Sequence, residues 1–254
     1  MTVLVGVRCR DGIVIGSDSS STFAAHQGVR TIEQRTQKIF IVEDKIIIAG
    51  TGEVGLGQRF TAAIADAYHK KAFANVTSAE EFAKKLCIIG LKDFGETGIA
   101  PGTFGAMVAF PIKGEVFLCE LATTNFQPEL KLTGTWFCSM GSGQSITDPF
   151  LGFLKRVFFP PGTLEDFDEP LPNLKEAMFL VTWALANVIE LNPGGINGPP
   201  QMAVLVRGKG EASFVHPDDL EEDQDFVKAA EKHLGEYLKS LAEEKPEAEP
   251  VPKP

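Results

Sequence analysis

The chain has 254 residues and a formal net charge of −10, with 24 Lys and Arg against 34 Asp and Glu. Its hydrophobic fraction of 44% is ordinary for a folded protein and too high for a disordered one. The acidic balance argues against binding to nucleic acid or to an anionic membrane surface. No stretch approaches the roughly 18 consecutive apolar residues of a spanning helix. Arg8 and Arg10 interrupt the first apolar segment, so we expect no secretory leader.

Four cysteines and four histidines are spread along the chain without the spacing of a metal site. The cysteines form no C-x-x-C pair and stand in apolar surroundings. We interpret them as small buried residues of a protein in a reducing compartment. The sequence therefore predicts a cytoplasmic protein that holds no metal and no cofactor.

The first half of the chain predicts two hairpins followed by two helices. The dipeptide Asp11-Gly12 is a strong hairpin turn, and Glu43-Asp44 separates the second pair of strands. Between these hairpins, the polar stretch 19–37 predicts a loop or a frayed edge. Ser78 caps the second helix, which has acidic residues in its first turn. The predicted strands cover 3–7, 13–17, 38–42 and 45–49, and the predicted helices cover 53–74 and 78–93.

The second half repeats the same order of strands and then helices. Hairpin connections dominate and no βαβ rhythm appears, which indicates an α+β fold of antiparallel sheets with helices on the outer faces. We predict one domain over 2–241 and a disordered tail over 242–254, which is rich in Pro and Glu. The predicted strands cover 103–110, 115–121, 129–133, 136–139, 201–207 and 212–214, and the predicted helices cover 144–158, 173–191 and 226–241, with a loop over 160–172.

A glycine-rich segment after the fourth predicted strand matches a dinucleotide-binding fingerprint. Gly50, Gly52 and Gly55 give the spacing G-x-G-x-x-G between a buried strand and a helix. The fingerprint requires a parallel strand ending in Asp or Glu about 20 residues later, and that position here falls in a predicted helix. A nucleotide site therefore stays only as an alternative. The turn can instead direct backbone amides toward an anion or an oxyanion.

A second motif, Gly141-Ser142-Gly143, raises the alternative of a serine hydrolase. The nucleophile elbow of those enzymes is G-x-S-x-G, and Met140 and Gln144 occupy its outer glycine positions here. The elbow is therefore absent. By itself the tripeptide predicts a turn before a helix.

The start of the chain offers a different nucleophile. Thr2 is a small residue after Met1, which permits removal of the initiator methionine. An N-terminal threonine carries a nucleophilic hydroxyl and an amine base whose unperturbed pKa is about 7.7–8.0. The sequence therefore presents a candidate for nucleophilic catalysis in a single residue.

Three other residues stand at strand ends that an antiparallel sheet could gather around Thr2. Asp18 closes the second strand, Lys38 opens the third, and Gly50 follows the fourth. A lysine beside the hydroxyl would favour its alkoxide and lower the pKa of the amine, and Asp18 would hold that lysine charged and in place. The N–H of Gly50 would meet a developing oxyanion.

These motifs together resemble the β-type subunits of the proteasome family, the N-terminal-threonine hydrolases that include bacterial HslV. The acidic residue sixteen places after Thr2 is Asp18, and the family's Lys before an apolar residue and Phe is Lys38-Ile39-Phe40. The strand-ending Ala-Gly is Ala49-Gly50, and Gly141-Ser142-Gly143 precedes a helix. The resemblance covers roughly 2–207.

The resemblance implies a role for each matching residue. Thr2 would be the nucleophile and its amine the base, Lys38 would tune that amine, and Asp18 would pair with Lys38. Ser142 would bind near the amine, and Gly50 would donate to the oxyanion.

Further positions follow from the same resemblance. Thr22 would pair with the substrate backbone beside Ser21, and Ile48 would shape an apolar pocket for a substrate side chain. The family's late Asp, in an Asp-x-x-Ser-Gly turn, has no match here. Asn192 stands nearest to it and would keep a hydrogen bond without the charge, so Thr2 would be less strongly activated.

The resemblance further implies a four-layer αββα sandwich of the N-terminal nucleophile hydrolase type. It implies self-association into rings of six or seven, stacked in pairs, with an ATPase or cap as partner and a peptide or unfolded protein as substrate. Three hypotheses follow: a threonine endopeptidase, a catalytically inactive scaffold or binding subunit with the same fold, and an amidase that acts on small amides.

Overall fold

The structure, a computed structural model, describes residues 1–24, 30–160, 170–192 and 195–243. Five α-helices lie in these residues: α1 (Val54–His69), α2 (Ala79–Gly95), α3 (Gln144–Phe158), α4 (Leu174–Leu191) and α5 (Pro217–Glu243). The same residues contain twelve strands: β1 (Val3–Arg8), β2 (Gly12–Ser17), β3 (Ser20–Ala24), β4 (Arg30–Arg35), β5 (Ile39–Val42), β6 (Ile46–Gly52), β7 (Phe104–Ile112), β8 (Glu115–Leu121), β9 (Pro128–Lys131), β10 (Phe137–Gly141), β11 (Gln201–Val206) and β12 (Glu211–Phe214).

Two five-stranded antiparallel sheets form the centre of the protein. The first has the order β10-β1-β2-β11-β12 and the second the order β5-β6-β7-β8-β9. In the first sheet, Val3 of β1 lies opposite Gly141 of β10, and Leu4 lies opposite Ser17 of β2. This register brings the beginning of β1 beside the end of β2 and the end of β10.

The hydrophobic core is divided into three layers by these sheets. Alternate residues of β1 face opposite ways, so Val3 packs toward α3 and α4 while Leu4 packs between the sheets. In β6, Ile48 packs against α1 and α2, and Ile47 faces the first sheet. Helix α5 lies outside α4. The fold is the predicted α+β sandwich of two sheets between outer helices.

The polar stretch 19–37, predicted as a loop or a frayed edge, contains a two-stranded ribbon, so the loop prediction was wrong for most of its described residues. Strands β3 and β4 pair with each other, with Ser20 opposite Arg35 and Ser21 opposite Gln34. The segment lacks an alternation of apolar and polar residues, which is the local signal for a strand. The two strands form because their backbones pair with each other, and the amino-acid composition does not indicate this pairing. Residues 25–29 lie outside the described part of the chain.

The last helix begins nine residues before its predicted start. Pro217 stands at its first position, where a missing N–H is tolerated, and Asp218 and Asp219 complement the helix dipole in the first turn. This turn contains many charged residues and few apolar ones, so the apolar periodicity of a helix is not visible there. The helix extends to Glu243, and the remainder of the predicted tail lies outside the described residues, as do residues 161–169 of the predicted loop.

The glycine-rich turn does not belong to a dinucleotide-binding unit. Strand β6 pairs antiparallel with both β5 and β7, and α2 follows α1 directly.

In the described part of the chain, no helix has the length and apolar character needed to cross a membrane.

One carboxyl group of α5 itself, that of Asp223, is buried. Asp223 is 3% exposed, and its Oδ2 has no hydrogen-bond partner among the described residues. Burial raises its pKa to about 6, opposed by the nearby charge of Lys175 and reinforced by Glu222 and Asp219. A carboxyl with a raised folded pKa stabilises the fold below its unfolded pKa of about 4, and that contribution is lost as pH rises through about 6.

We therefore expect Asp223→Asn to stabilise the protein at pH 8 and not at pH 4. The free energy of unfolding should rise by about 1–2 kcal/mol at pH 8 because the buried charge is removed. Urea unfolding at both pH values measures the difference. Asp225→Asn, on the exposed face of the same helix, should change stability by less than about 0.5 kcal/mol. Equal gains for Asp223→Asn at pH 4 and pH 8 would contradict this account.

Candidate active site

The backbone of Thr2 is held between β1 and the loop after β10. The nitrogen of Thr2 donates to Ser142 Oγ at 3.1 Å, and the N–H of Gly143 donates to the carbonyl oxygen of Thr2 at 3.2 Å. That nitrogen is an amide here because Met1 precedes it, and it stands in for the α-amino group that removal of Met1 would create. The structure therefore brings Ser142 to the position where such an amine would form.

Gly141 is required by the way β10 approaches the start of β1. Its φ of +92° lies in a region that side chains disfavour, and a Cβ at this position would collide with the carbonyl oxygen of Thr2. A glycine therefore permits the close approach that places Ser142 beside Thr2.

A buried ion pair lies immediately under Thr2. Lys38 Nζ is 2.7 Å from Asp18 Oδ1, and the two side chains are 5% and 0% exposed. Asp18 also accepts the N–H of Val3 on Oδ1 at 2.9 Å and that of Ser20 on Oδ2 at 3.2 Å. The carboxylate thus satisfies its buried oxygens and joins the start of β1 to the end of β2.

The same lysine contacts the candidate nucleophile. Lys38 Nζ lies 3.2 Å from Thr2 Oγ1 and 3.2 Å from the carbonyl oxygen of Met1. A cation at this distance in a buried setting stabilises negative charge on the hydroxyl oxygen, because the local dielectric is lower than that of water. Thr2, Asp18 and Lys38 therefore come together as the sequence predicts.

Gln201 positions the lysine and was missed by the sequence analysis. Its Oε1 accepts the N–H of Lys38 at 3.0 Å, and its Nε2 donates to the carbonyl oxygen of Thr36 at 2.7 Å. Gln201 begins β11, opposite Ser17 at the end of β2. No local pattern distinguishes it in the sequence, because its role depends on strand pairing over more than 160 residues.

A cavity of about 280 Å³ opens beside Thr2. Ile48 forms part of its wall, and Ser21 lies at its edge, so two of the predicted substrate-binding residues do border it. Four of its lining residues are large and apolar: Phe40, Ile48, Val54 and Phe104. Others are polar, and they include Ser21, Thr36, Gln37, Thr51, Glu53, Gln58 and Thr61. A volume of this size accommodates one side chain of a ligand.

Gly50 also lines the cavity, but its amide is already engaged. The N–H of Gly50 donates to the carbonyl oxygen of Lys38 at 3.3 Å, in continuation of the β5–β6 ladder. This distance is longer than the roughly 2.9–3.0 Å that is usual between the two heavy atoms of an N–H···O bond. The Gly50 N–H therefore lies at the cavity, and a ligand oxygen would have to compete with the carbonyl of Lys38.

Comparison with known proteins assigns the chain to a family. Residues 2–167 match the family model described as "Proteasome subunit". The chain belongs to the proteasome subunit family. It is 27% identical over 246 residues to a proteasome subunit alpha of Methanococcus maripaludis, covering 96% of this chain and 81% of that relative. A 54-residue match to a proteasome subunit beta of Nanoarchaeum equitans is 39% identical and covers 21% of this chain and 26% of the relative.

Solved structures show the same fold. Anbu (ancestral beta-subunit) from Yersinia bercovieri aligns with a TM-score of 0.67 and 16% identity, covering 97% of this chain and 99% of that one. A structure described as the helical assembly of the Anbu complex from Pseudomonas aeruginosa aligns with a TM-score of 0.65, 15% identity and 98% coverage of both chains. At these identities the likeness establishes the fold of this proteasome-family subunit.

Two predicted site residues are not joined to the cluster by any described side chain contact. Asn192 is the C-cap residue directly after α4, where its N–H donates to the carbonyl oxygen of Val188 at 3.0 Å. No hydrogen bond links its side chain to Thr2 or Ser142 within the described residues. Thr22 lies in β3 opposite Glu33, and the structure describes its backbone only.

The described part of the chain offers no cluster of three or more His, Cys, Asp or Glu residues for a metal ion. All four cysteines are free and buried, as predicted. Burial raises the pKa of the Cys9 thiol to about 11 and that of Cys119 to about 12, so neither is a thiolate at neutral pH. Thr2 therefore remains the candidate nucleophile of this subunit.

The buried ion pair leads to a double-mutant prediction. Asp18→Asn and Lys38→Met should each lower the free energy of unfolding by about 3–5 kcal/mol, because each leaves an opposite charge buried without its partner. The combined variant should lose about 2 kcal/mol less than the sum of the two, as measured by chemical unfolding.

The exposed pair formed by Lys70 and Asp66 provides the control for this cycle. Lys70→Met and Asp66→Asn should each change stability by less than about 0.5 kcal/mol, with no coupling of that size. Additive losses at Asp18 and Lys38 would contradict the assignment of a coupled ion pair beneath Thr2.

Proposed function

We propose that this subunit is a threonine-type endopeptidase that uses Thr2 as its nucleophile once Met1 has been removed. The observation that carries the proposal is the position of Lys38 Nζ, 3.2 Å from Thr2 Oγ1 and 2.7 Å from Asp18 Oδ1. A buried ion pair adds little to the free energy of folding, because removing both charges from water is costly. A buried lysine that contacts a hydroxyl can instead stabilise negative charge on that oxygen, as a nucleophile requires.

In the proposed reaction, Thr2 Oγ attacks the carbonyl carbon of a peptide bond and its proton passes to the α-amine. The amine then protonates the leaving nitrogen, the C–N bond breaks, and an ester joins the acyl group to Thr2. Water activated by the same amine hydrolyses the ester and restores the hydroxyl. Lys38 stabilises the negative charge on Oγ, and Ser142 orients the amine.

The oxyanion is proposed to bind at the N–H of Gly50. That donor would exchange its long bond to the carbonyl of Lys38 for one to the developing charge, which is the stronger acceptor. The apolar wall formed by Phe40, Ile48 and Phe104 favours substrates with an apolar side chain next to the scissile bond. Ser21 at the edge of the cavity, together with Thr22, would pair with the substrate backbone.

Assembly of the subunit follows from the family by analogy. We propose association into rings of six or seven subunits, stacked in pairs, with an ATPase or cap as partner and peptides or unfolded proteins as substrates. A cytoplasmic location is proposed with them.

The endopeptidase proposal is tested on protein whose intact mass shows Thr2 at the N-terminus. We expect cleavage of fluorogenic peptides with an apolar residue before the scissile bond, and mass addition at Thr2 by an epoxyketone inhibitor. Thr2→Ala should lower the rate at least about 1000-fold, because the nucleophile is lost. Thr124→Ala, at an exposed position away from the cavity, should leave the rate unchanged.

The proposal fails if assembled protein with a free Thr2 neither hydrolyses such peptides nor reacts with the inhibitor. Hydrolysis of small amides with no cleavage of peptides would instead identify the amidase alternative, on the same nucleophile.

A non-catalytic scaffold or binding subunit is the second candidate, and three observations favour it. The N–H of Gly50 is engaged by the carbonyl of Lys38, and Asn192 makes no hydrogen bond to Ser142 or Thr2 in the described structure. In addition, two sequence relatives that match more than 90% of this chain are alpha subunits. A mature protein that retains Met1 in its intact mass, and binds unfolded peptides without cleaving them, would establish this candidate.

A further inference from the structure

The last third of α5 carries an apolar face that nothing in the described structure covers. All of the residues from 231 to 241 are exposed, although four of them are large and apolar. Tyr237 is 63% exposed and Leu238 is 68% exposed. We call this surface the distal face, and it consists of Leu234, Tyr237, Leu238 and Leu241.

The distal face continues the buried face of the same helix. At 100° per residue, its four side chains lie within an arc of about 100°, and the same arc contains the residues that face inward earlier in the helix. There Leu220, Val227 and Ala230 pack in the cluster formed with α4. Near the middle of α5, Trp183 Nε1 of α4 donates a hydrogen bond to Glu231 Oε1 at 2.8 Å. From Leu234 onward, the apolar residues of this stripe are exposed in the described structure.

Scattered apolar residues on a surface need no explanation, but a contiguous stripe does. An amphipathic helix normally buries such a stripe against another element. Here the charged side chains stand on the other side of the helix, where Lys232 lies 3.9 Å from Glu236, and Lys239 is exposed nearby. The distal face itself contains no charge, as is typical of the centre of an interface.

The chain's own remaining residues are a poor cover for this face. Residues 244–254 contain four prolines and three glutamates, and Val251 is their single large aliphatic residue. A membrane surface also fits badly, because a membrane-surface helix is rich in Lys and Arg, whereas this protein has a net charge of −10.

A second copy of the same helix fits in length, in apolar character and in lack of charge. We propose that the distal face of α5 binds the distal face of a second copy of this chain, as an antiparallel helix pair with its two-fold axis near Leu238. The antiparallel arrangement pairs opposite helix dipoles and places the two protein bodies at opposite ends of the pair. This interface is independent of the proposed catalytic activity.

A charge-matched pair of variants tests the contact. Leu238→Glu with Leu241→Glu places two charges on the distal face, and Lys232→Gln with Lys239→Gln makes the same change in net charge on the opposite face. The full chain and both variants are compared by sedimentation velocity over a range of concentrations. We expect the first variant to weaken self-association at least 100-fold (about 2.7 kcal/mol), and the second to associate as the unchanged chain does.

Thermal unfolding of both variants provides the check on folding. All four positions are exposed, so their Tm values at low concentration should match that of the unchanged chain. Equal self-association of the two variants would overturn the proposal.

A cysteine crosslink tests the two-fold axis directly and separates this contact from other assembly surfaces. Leu238→Cys should form a disulfide-linked dimer when diamide is added as oxidant, whereas Lys239→Cys, on the opposite face, should not. The four native cysteines are buried, so the introduced thiol is the accessible one.

Two outcomes would each reject the second copy as the partner. One is a chain that assembles while Leu238→Cys stays uncrosslinked. The other is a chain that stays monomeric at every concentration but binds anionic vesicles through the distal face, which would assign that face to lipid.

Discussion

The candidate active site depends on one buried ion pair, that of Asp18 and Lys38. Taking both charges out of water is costly, and the structure offsets this cost with a 2.7 Å contact and two backbone N–H donors to the carboxylate. Because those donors belong to Val3 and Ser20, the carboxylate also determines where β1 begins and where the chain leaves β2. The position of Thr2 is thus set by the hydrogen bonds that the backbone around it donates to the Asp18 carboxylate.

The remaining geometry follows from how three strand ends meet at that pair. The antiparallel register of β1 with β10 brings Ser142 to within 3.1 Å of the Thr2 nitrogen, although 140 residues separate them. Gly141 makes this approach sterically permissible. The hairpin of β5 and β6 delivers Lys38 and Gly50 to the same end of the second sheet. The site therefore lies at the ends of both sheets, and the cavity beside it is lined by residues of β5, β6 and α1.

The proposed catalysis and the proposed self-association use different parts of the molecule. The candidate site lies at the sheet ends, whereas the distal face of α5 comes after Glu231, which accepts a hydrogen bond from Trp183 of α4. The surface charge is strongly acidic overall, yet the distal face is neutral and apolar. This separation permits the two properties to be tested independently, and loss of one interface by substitution need not disturb the buried pair beneath Thr2.

The sequence by itself determined much of this protein. The hairpins around Asp11-Gly12 and Glu43-Asp44, the helices α1 to α4 and the grouping of Thr2, Asp18 and Lys38 could be predicted, because turn dipeptides, apolar periodicity and motif order are local signals. The tertiary structure alone decided the ribbon of β3 and β4, the role of Gln201, the engagement of the Gly50 amide and the exposure of the distal face. Each of these depends on which backbone group or side chain from a distant part of the chain packs or bonds at that position. Pairing between residues far apart in the chain leaves no signal in the local sequence.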